Sequence, residues 1–218
     1  MLQNDVKQDI VGRLIDKEWI FFGQVNNIGG RASCQDDFMT FRIMRSSQFE
    51  TWDEEVLLSY ERDLKQAEAA GRNPVELKYA YMMQETSPEY FERELAPFLP
   101  VIEEETKRIA EQIIEYEMAW YHKVREKYPY FTGLGRPEQE SEDGRMTSVF
   151  VYLRGELYTY STETLNRYLE MVKKKEKAGS NLIRETFENT AKKYGYRDLD
   201  TAEREGVHSA SKIAAEGI

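Results

Sequence analysis

The second half of this 218-residue chain repeats the first, and this repetition restricts the possible folds more than any other feature. The segment LIDKEWIFFGQV at 14–25 matches IIEYEMAWYHKV at 113–124, and TWDEEVLLSYERDL from Thr51 matches TYSTETLNRYLEMV from Thr159. The turn AGRN at 70–73 matches AGSN at 178–181. Because order and spacing agree over roughly 90 residues per half, the sequence predicts a tandem repeat packed about a pseudo-two-fold axis.

Each half has the pattern of a helical protein. Apolar residues recur at helical spacing, Pro and Gly fall mostly between the periodic segments, and no alternating strand pattern persists. Helices are predicted over residues 5–25, 37–49, 53–71 and 102–127, with Asn73-Pro74 and Ser87-Pro88 opening two more. We predict an all-α fold, a multi-helix bundle of two repeats (1–98 and 99–200) packed as one domain, with 201–218 as a tail or short helix.

Composition and charge argue against several classes of function. The formal net charge is −10 and no basic stripe is present, which argues against nucleic-acid binding. No apolar run reaches the ~20 residues of a membrane span, and the first residues lack the pattern of a secretory signal. The single cysteine fits a reducing compartment. We expect a cytoplasmic protein whose partners are small molecules or other proteins, with the oligomeric state left open.

Two glutamates stand inside apolar helix faces, one in each half. Glu18 falls within the apolar stripe of residues 11–25, and Glu117 falls within the matching stripe of residues 110–124. Because an unpaired buried carboxylate is costly, each needs a partner or a proton. A two-fold relation between the halves predicts that Glu18 and Glu117 approach each other near the axis.

The second helix of each half adds polar groups close by. In the first half the apolar residues at 38, 41 and 44 lead to Gln48 on one face, with Arg45 one turn earlier and Trp52 just beyond. In the second half the matching helix carries Glu156, with Arg154 close to it. We therefore expect one pocket between the repeats, with a floor formed by Glu18, Glu117, Gln48 and Glu156.

Three interpretations of these carboxylates stay open. In the first, each glutamate pairs with an arginine in a structural network that docks the halves. In the second, Glu18, Glu117 and Glu156 hold a divalent metal (manganese, iron or magnesium), although the chain lacks the Glu-x-x-His motif of iron sites in helical bundles. In the third, one glutamate acts as a general acid or base whose pKa is raised by burial.

The loop NNIGGRASCQDD at 26–37 concentrates polar groups at the end of the first helix. Gly29 and Gly30 permit positive φ and close backbone approach, and Arg31 offers a planar fork for a carboxylate or phosphate. Asp37 is placed to cap the second helix or to point inward. Long loops in compact helical proteins are often functional, so we expect this loop, with Asn27, to complete the pocket.

The same loop carries the only cysteine of the chain. Cys34 acts as a nucleophile only if a base or a helix end lowers its pKa, and His122 on the repeated helix is the candidate base. A packed or idle thiol is the simpler interpretation. The matching loop at 131–144 is less rich in such groups, so we expect an asymmetric site that uses the first half more.

The motifs EWIFFGQVNNIGGRASCQDD, FRIMRSSQFETW and YLRGELYTYS resemble a family of bacterial proteins, the domain-of-unknown-function family 4125. The resemblance covers residues 8 to about 200. It implies a small bacterial cytoplasmic protein, and it implies no activity.

These observations lead to two hypotheses for function. In the first, the chain is an enzyme acting on a small polar or anionic substrate: Glu18, with Glu117 or Asp37, performs acid–base work or holds the metal. Six residues would then bind the substrate: Asn27, Arg31, Arg45, Gln48, Trp52 and Arg154. In the second, the chain is a non-catalytic binding or interaction module whose Glu/Arg network is structural. Replacement of Glu18 by Gln separates them, because only a structural ion pair predicts a clear loss of stability.

Overall fold

The structure, a computed structural model, describes residues 2–27, 30–139 and 147–216. Within these ranges the chain is helical, without strands, which confirms the predicted all-α bundle. The helices in these ranges are α1 (Leu2–Gly23), α2 (Phe38–Phe49), α3 (Glu54–Ala69), α4 (Pro74–Thr86), α5 (Pro88–Tyr90), α6 (Glu104–Lys127), α7 (Pro129–Gly133), α8 (Val149–Leu157), α9 (Thr162–Lys177), α10 (Leu182–Lys193) and α11 (Leu199–Glu216). None of them has both the length and the apolar character of a membrane span.

Asparagine caps fix how the helices of each half meet. The Asn73 side chain accepts hydrogen bonds from the first backbone amides of α4, while its Nδ2 donates to the carbonyl of Phe21 in α1 at 2.8 Å. Asn181 caps α10 in the same way and donates to the carbonyl of Trp120 in α6 at 3.2 Å. Each side chain thereby caps one helix and donates a hydrogen bond to a carbonyl of another, which ties the two helices together.

Glycine ends the helix that precedes each cap. Gly71 follows α3 with φ of 64°, and Gly179 follows α9 with φ of 71°. This left-handed conformation favours glycine and stops both helices before the asparagine caps. The sequence prediction of these two turns is confirmed.

Helices pack against one another both within each half and across the two halves. In the first half α1 packs against α2, α3 and α4, and in the second half α6 packs against α8, α9 and α10. Across the halves, α3 packs on α9, α2 on α10 and α4 on α8. The helix α11, which forms much of the predicted tail, packs against α7 and α10.

An aromatic cluster fills the centre of the bundle. Trp52 is fully buried, with its ring centroid 4.9 Å from Tyr168 and 5.0 Å from Phe49, and the rings of Tyr60 and Tyr160 lie 4.8 Å apart. Contributions come from both halves, so this cluster joins them into one core. Trp52, predicted to bind substrate, is instead a core residue.

The buried face of α2 differs from the predicted one. Arg45, Ser46, Ser47 and Phe49 are buried, whereas Met44 is 46% exposed. The helix α2 packs against α1 and α10, and Asn189 of α10 donates to the Ser47 carbonyl at 3.2 Å, so polar residues take buried positions on this face. Apolar periodicity alone cannot reveal such positions.

Candidate functional site

A cavity of about 230 Å³ opens between α1, α2, α4 and α8. Its charged lining residues are three acids and three cations, and most of its walls are aromatic or apolar. The charged residues are Glu18, Asp37, Arg45, Lys78, Arg136 and Glu156. We call this cavity the charged pocket.

Arg45 lies at the centre of a buried ion-pair network. Its Nε and one terminal nitrogen donate to the two carboxylate oxygens of Glu18 at 2.5 and 2.6 Å. Its other terminal nitrogen donates to Gln48 Oε1 at 2.6 Å and to Glu156 Oε1 at 3.0 Å. Such a bidentate arginine–carboxylate pair fixes both orientation and charge, and here it joins α1, α2 and α8.

Lys78 and two tyrosines complete the network. Lys78 Nζ donates to Glu156 Oε2 at 2.6 Å and lies 3.4 Å from the centroid of the Tyr152 ring. The Tyr160 hydroxyl donates to Glu156 at 2.8 Å, and the Tyr60 hydroxyl donates to Glu18 at 2.6 Å. Every carboxylate oxygen of the two glutamates therefore accepts at least one hydrogen bond.

Glu156 and Lys78 keep their charges at neutral pH. Burial alone would raise the pKa of Glu156, but the charges of Arg45 and Lys78 outweigh burial and hold this pKa well below its usual value. Burial would lower the pKa of Lys78, and the charge of Glu156 raises it above its usual value instead. Two carboxylates and two cations thus balance one another, so the network carries no net charge.

Lys78 was not among the predicted site residues, although the sequence contains a signal for it. Lys78 stands on the buried face of α4, spaced at helical intervals from Pro74, Tyr81 and Met82. A lysine on an apolar face carries the same signal as Glu18 in α1. This isolated charge on a buried face would have placed Lys78 among the candidate site residues, although its partner Glu156 lies in the other half of the chain.

The loop after α1 folds onto the end of that helix. Arg31 donates to Asp36 at 2.9 Å, to the Gly23 carbonyl at 3.0 Å and to the Gln35 carbonyl at 2.9 Å. Asn27 donates to the buried Gln35 side chain at 2.8 Å. Asn27 and Arg31 therefore hold the loop rather than facing the charged pocket.

Among the described residues of this loop, those at its end reach the charged pocket. Cys34 and Asp37 line it, and both are exposed. Asp37 caps α2, accepting from the Thr40 amide at 3.0 Å, and this bond lowers the pKa of its carboxyl. Gly30 has φ of 86° as predicted, whereas Gly29 lies outside the described residues.

A second cavity, of about 140 Å³, lies beside Glu117 in α6. Gln48, Tyr152 and Glu156 also line it, so it adjoins the charged pocket. We call it the Glu117 cavity. Glu18 and Glu117 thus face different cavities, and the single pocket expected between the repeats is divided by the contacts between Arg45, Gln48 and Glu156.

Glu117 has few partners for a buried acid. The Tyr168 hydroxyl donates to its Oε1 at 2.5 Å, and no cation pairs with it among the described residues. Burial raises the pKa of Glu117 to about 7, although the hydrogen bond from Tyr168 opposes the rise.

Arg154 and His122, two other residues singled out in the sequence, lie beside acidic side chains outside the charged pocket. Arg154 pairs with Glu85 and approaches Glu111 at 3.6 Å. His122 Nδ1 lies 3.0 Å from Glu138 and is half exposed. Neither lines the charged pocket.

The proposed metal ligands do not form a metal-binding group. Across residues 2–27, 30–139 and 147–216, no three His, Cys, Asp or Glu side chains are placed to hold one ion. Glu18 and Glu156 already face Arg45, and Glu117 is in the other cavity. The donor set therefore does not fit manganese, iron or magnesium at this place.

A protein-family model matches most of the chain. The family model described as "Protein of unknown function (DUF4125)" matches residues 8–204, which include both cavities. No curated protein and no solved structure matches the chain.

Proposed function

The chain belongs to the DUF4125 family, proteins of unknown function, and from the chemistry of its site we propose that it binds a small polar molecule in the charged pocket. The resemblance drawn from its sequence motifs is thereby confirmed, and it carries no activity. The function therefore has to be argued from the residues that line the cavity.

One observation carries the proposal: four buried charged side chains line an open cavity instead of packing in a closed core. Glu18, Arg45, Lys78 and Glu156 are each at most 8% exposed, and removing such charges from water costs several kcal/mol per ion. If the network served only to hold helices together, apolar side chains could replace it at little cost in stability. Its position at a cavity supports a role in recognition.

The ligand is expected to carry a polar or anionic group and a flat apolar part. Lys78 has three N–H donors, of which one serves Glu156, and Arg136 lies 4.0 Å from the centroid of the same Tyr152 ring. These two cations would hold the polar group. Phe22 and Phe41, with stacked rings 5.5 Å apart, would contact the apolar part. The cavity volume corresponds to a small metabolite.

Arg45 is better suited to hold the site than to contact the ligand. Four of its donor contacts go to side chains of the chain itself. It thus positions Glu18 and Glu156 at the cavity.

We also propose that the two halves are pseudo-symmetric repeats. The paired asparagine caps and paired glycine turns support this, as do the hydrogen bonds of Thr51 to the Gln48 carbonyl and of Thr159 to the Glu156 carbonyl, both 2.7 Å. Aligning these threonines places Leu153 opposite Arg45. The network is then complete only around the charged pocket, which supports the expected asymmetry.

Cytoplasmic localisation, bacterial origin and the absence of nucleic-acid partners remain proposals. The net charge of −10 and the single cysteine support the first and the last of these.

The test is a thermal-shift screen with a pocket-filling variant. Small carboxylates, phosphates, amines and uncharged polar molecules are screened for an increase in Tm, since a ligand stabilises the state it binds. Met44→Trp fills the charged pocket, which Met44 lines. Met39→Trp is the matched control, because Met39 is exposed on the same helix and does not line that pocket.

A compound that raises the Tm of the wild type and of Met39→Trp, but not of Met44→Trp, would support the proposal. An equal response of Met44→Trp would contradict it, as would a screen in which no class of compound raises the Tm.

Catalysis is the second candidate, favoured by Glu117. A buried carboxyl with a pKa of about 7 is suited to proton transfer near neutral pH. Recovery of a bound compound after incubation with the protein separates the two functions by mass spectrometry. An unchanged compound indicates a binding protein, and a converted one indicates an enzyme.

A further inference from the structure

The Glu117 cavity contains a buried carboxylate with no counter-charge of its own among the described residues. Glu117 is 5% exposed and one of its oxygens is held by Tyr168. The other oxygen has no hydrogen-bond donor within the described part of the chain, although the cavity adjoins it. A buried carboxylate needs a positively charged partner, and none of the described residues around Glu117 supplies one.

The corresponding glutamate of the first half shows what would complete the site. Glu18 accepts a hydrogen bond from Tyr60 and two from the guanidinium of Arg45. Glu117 keeps the equivalent tyrosine, Tyr168, but Leu153 occupies the sequence position that matches Arg45. Leucine supplies neither charge nor donor, and it leaves space next to the carboxylate.

We propose that the Glu117 cavity binds a small organic cation with N–H donors, of the alkylguanidinium class, which takes the place that Arg45 occupies beside Glu18. The cation would donate to the free oxygen of Glu117 and lie within a cavity of about 140 Å³. A cavity of about 150 Å³ accommodates a molecule the size of benzene, so a methylguanidinium ion fits by size.

The walls of the cavity favour an organic cation over a metal ion. Met118, Leu153 and Ile183 present apolar surface, and Tyr121 and Tyr152 present aromatic rings. A guanidinium is planar, weakly hydrated and stacks on aromatic faces, so it loses little on leaving water for such a site. A divalent ion needs several oxygen ligands, and no three acidic, histidine or cysteine side chains in the described ranges are placed to hold one.

Gln48 gives the cavity a further polar contact. Its Oε1 accepts a hydrogen bond from Arg45, while the side chain also lines the Glu117 cavity.

The charge of Glu156, which also lines the cavity, is already balanced by Arg45 and Lys78. Glu117 is therefore the acid available to an incoming cation. The raised pKa of Glu117 is consistent with a carboxyl that lacks such a partner.

The test is titration of the full chain with methylguanidinium chloride by calorimetry, at constant ionic strength. Methylurea, which has nearly the same shape without the charge, is the matched probe. Glu117→Gln removes the charge and keeps an oxygen that accepts from Tyr168, so the variant is expected to fold. Glu115→Gln is the control, since Glu115 is exposed on the same helix.

The expected result is saturable binding of methylguanidinium to the wild type and to Glu115→Gln, with affinity reduced roughly tenfold or more in Glu117→Gln, as for loss of a charge-assisted hydrogen bond. The affinity of the wild type for methylurea should be no higher than the affinity of Glu117→Gln for methylguanidinium. No saturable binding to the wild type, or equal binding to Glu117→Gln, would overturn the proposal.

A second variant keeps the test decisive if Glu117→Gln does not fold. Leu153→Arg supplies the missing guanidinium within the chain, so it should abolish methylguanidinium binding while circular dichroism stays unchanged. Undiminished binding to a folded Leu153→Arg variant would contradict the proposed place of the cation. Neither Glu117 nor Leu153 lines the charged pocket, so failure of this proposal is distinguishable from failure of the ligand proposed for that pocket.

Discussion

The stability of the protein is expected to depend on pH through Glu117, and Glu117→Gln should remove that dependence. Burial raises the pKa of this carboxyl from 4.5 to about 7 in the folded chain. Between those two pH values the folded state therefore holds a proton that the unfolded state has lost. The stabilisation is fully present below pH 4.5 and is lost as the pH rises through about 7.

The magnitude follows from the two pKa values. Each unit of pKa difference corresponds to about 1.4 kcal/mol, so a rise from 4.5 to about 7 gives roughly 3 kcal/mol of lost stability above neutral pH. The charged and titratable groups that act on Glu117 are Glu156 on α8 and Tyr168 on α9. Glu156 stays ionised and Tyr168 stays protonated across this range, because their pKa values lie well below and well above it.

Urea unfolding at a pH below 4.5 and at a pH above 7 measures the effect. The free energy of unfolding of Glu117→Gln minus that of the wild type should increase by roughly 3 kcal/mol between the two conditions. Glu115→Gln, exposed on the same helix, should show no such change. If the Glu117→Gln and wild-type curves run parallel, Glu117 is not the buried, unpaired acid that the structure describes.

Two further predictions concern the network and the caps. Glu18→Gln leaves Arg45 buried without its bidentate partner. In urea unfolding, this variant should lose about 3–5 kcal/mol of the free energy of unfolding. A loss below about 1 kcal/mol would contradict a structural role for this pair. Asn73→Ala removes both the cap of α4 and the link to α1 and should cost about 1–2 kcal/mol by the same assay, whereas an unchanged stability would mean that water replaces the cap.

Local structure was predictable where a residue acts on its own backbone. Asp37 and Asn73 precede their helices and cap them, and Gly71 ends a helix in the left-handed conformation. These outcomes depend on interactions within a few residues, which the sequence displays directly. Glu18 and Glu117 were likewise found on buried faces, because the apolar stripe around each is a property of its own helix.

The partners of those residues were not predictable in the same way. Arg31, with its planar fork in a glycine-rich loop, holds that loop to the end of α1. Lys78 is recognisable as a charge on the apolar face of α4, but its partner Glu156, in the other half of the chain, is not. A long side chain can reach several elements, so its contacts depend on how helices distant in sequence are placed.

The sequence by itself determined the helices, their ends, the repetition of the pattern and the two acids on apolar faces, because these are consequences of local periodicity and capping. Only the tertiary structure decided that Glu18 meets Arg45 while Glu117 meets a tyrosine and an open cavity. The physical reason is that the energy of a buried charge depends on which opposite charge the fold brings within a few ångströms. That distance is set by the packing of helices far apart along the chain.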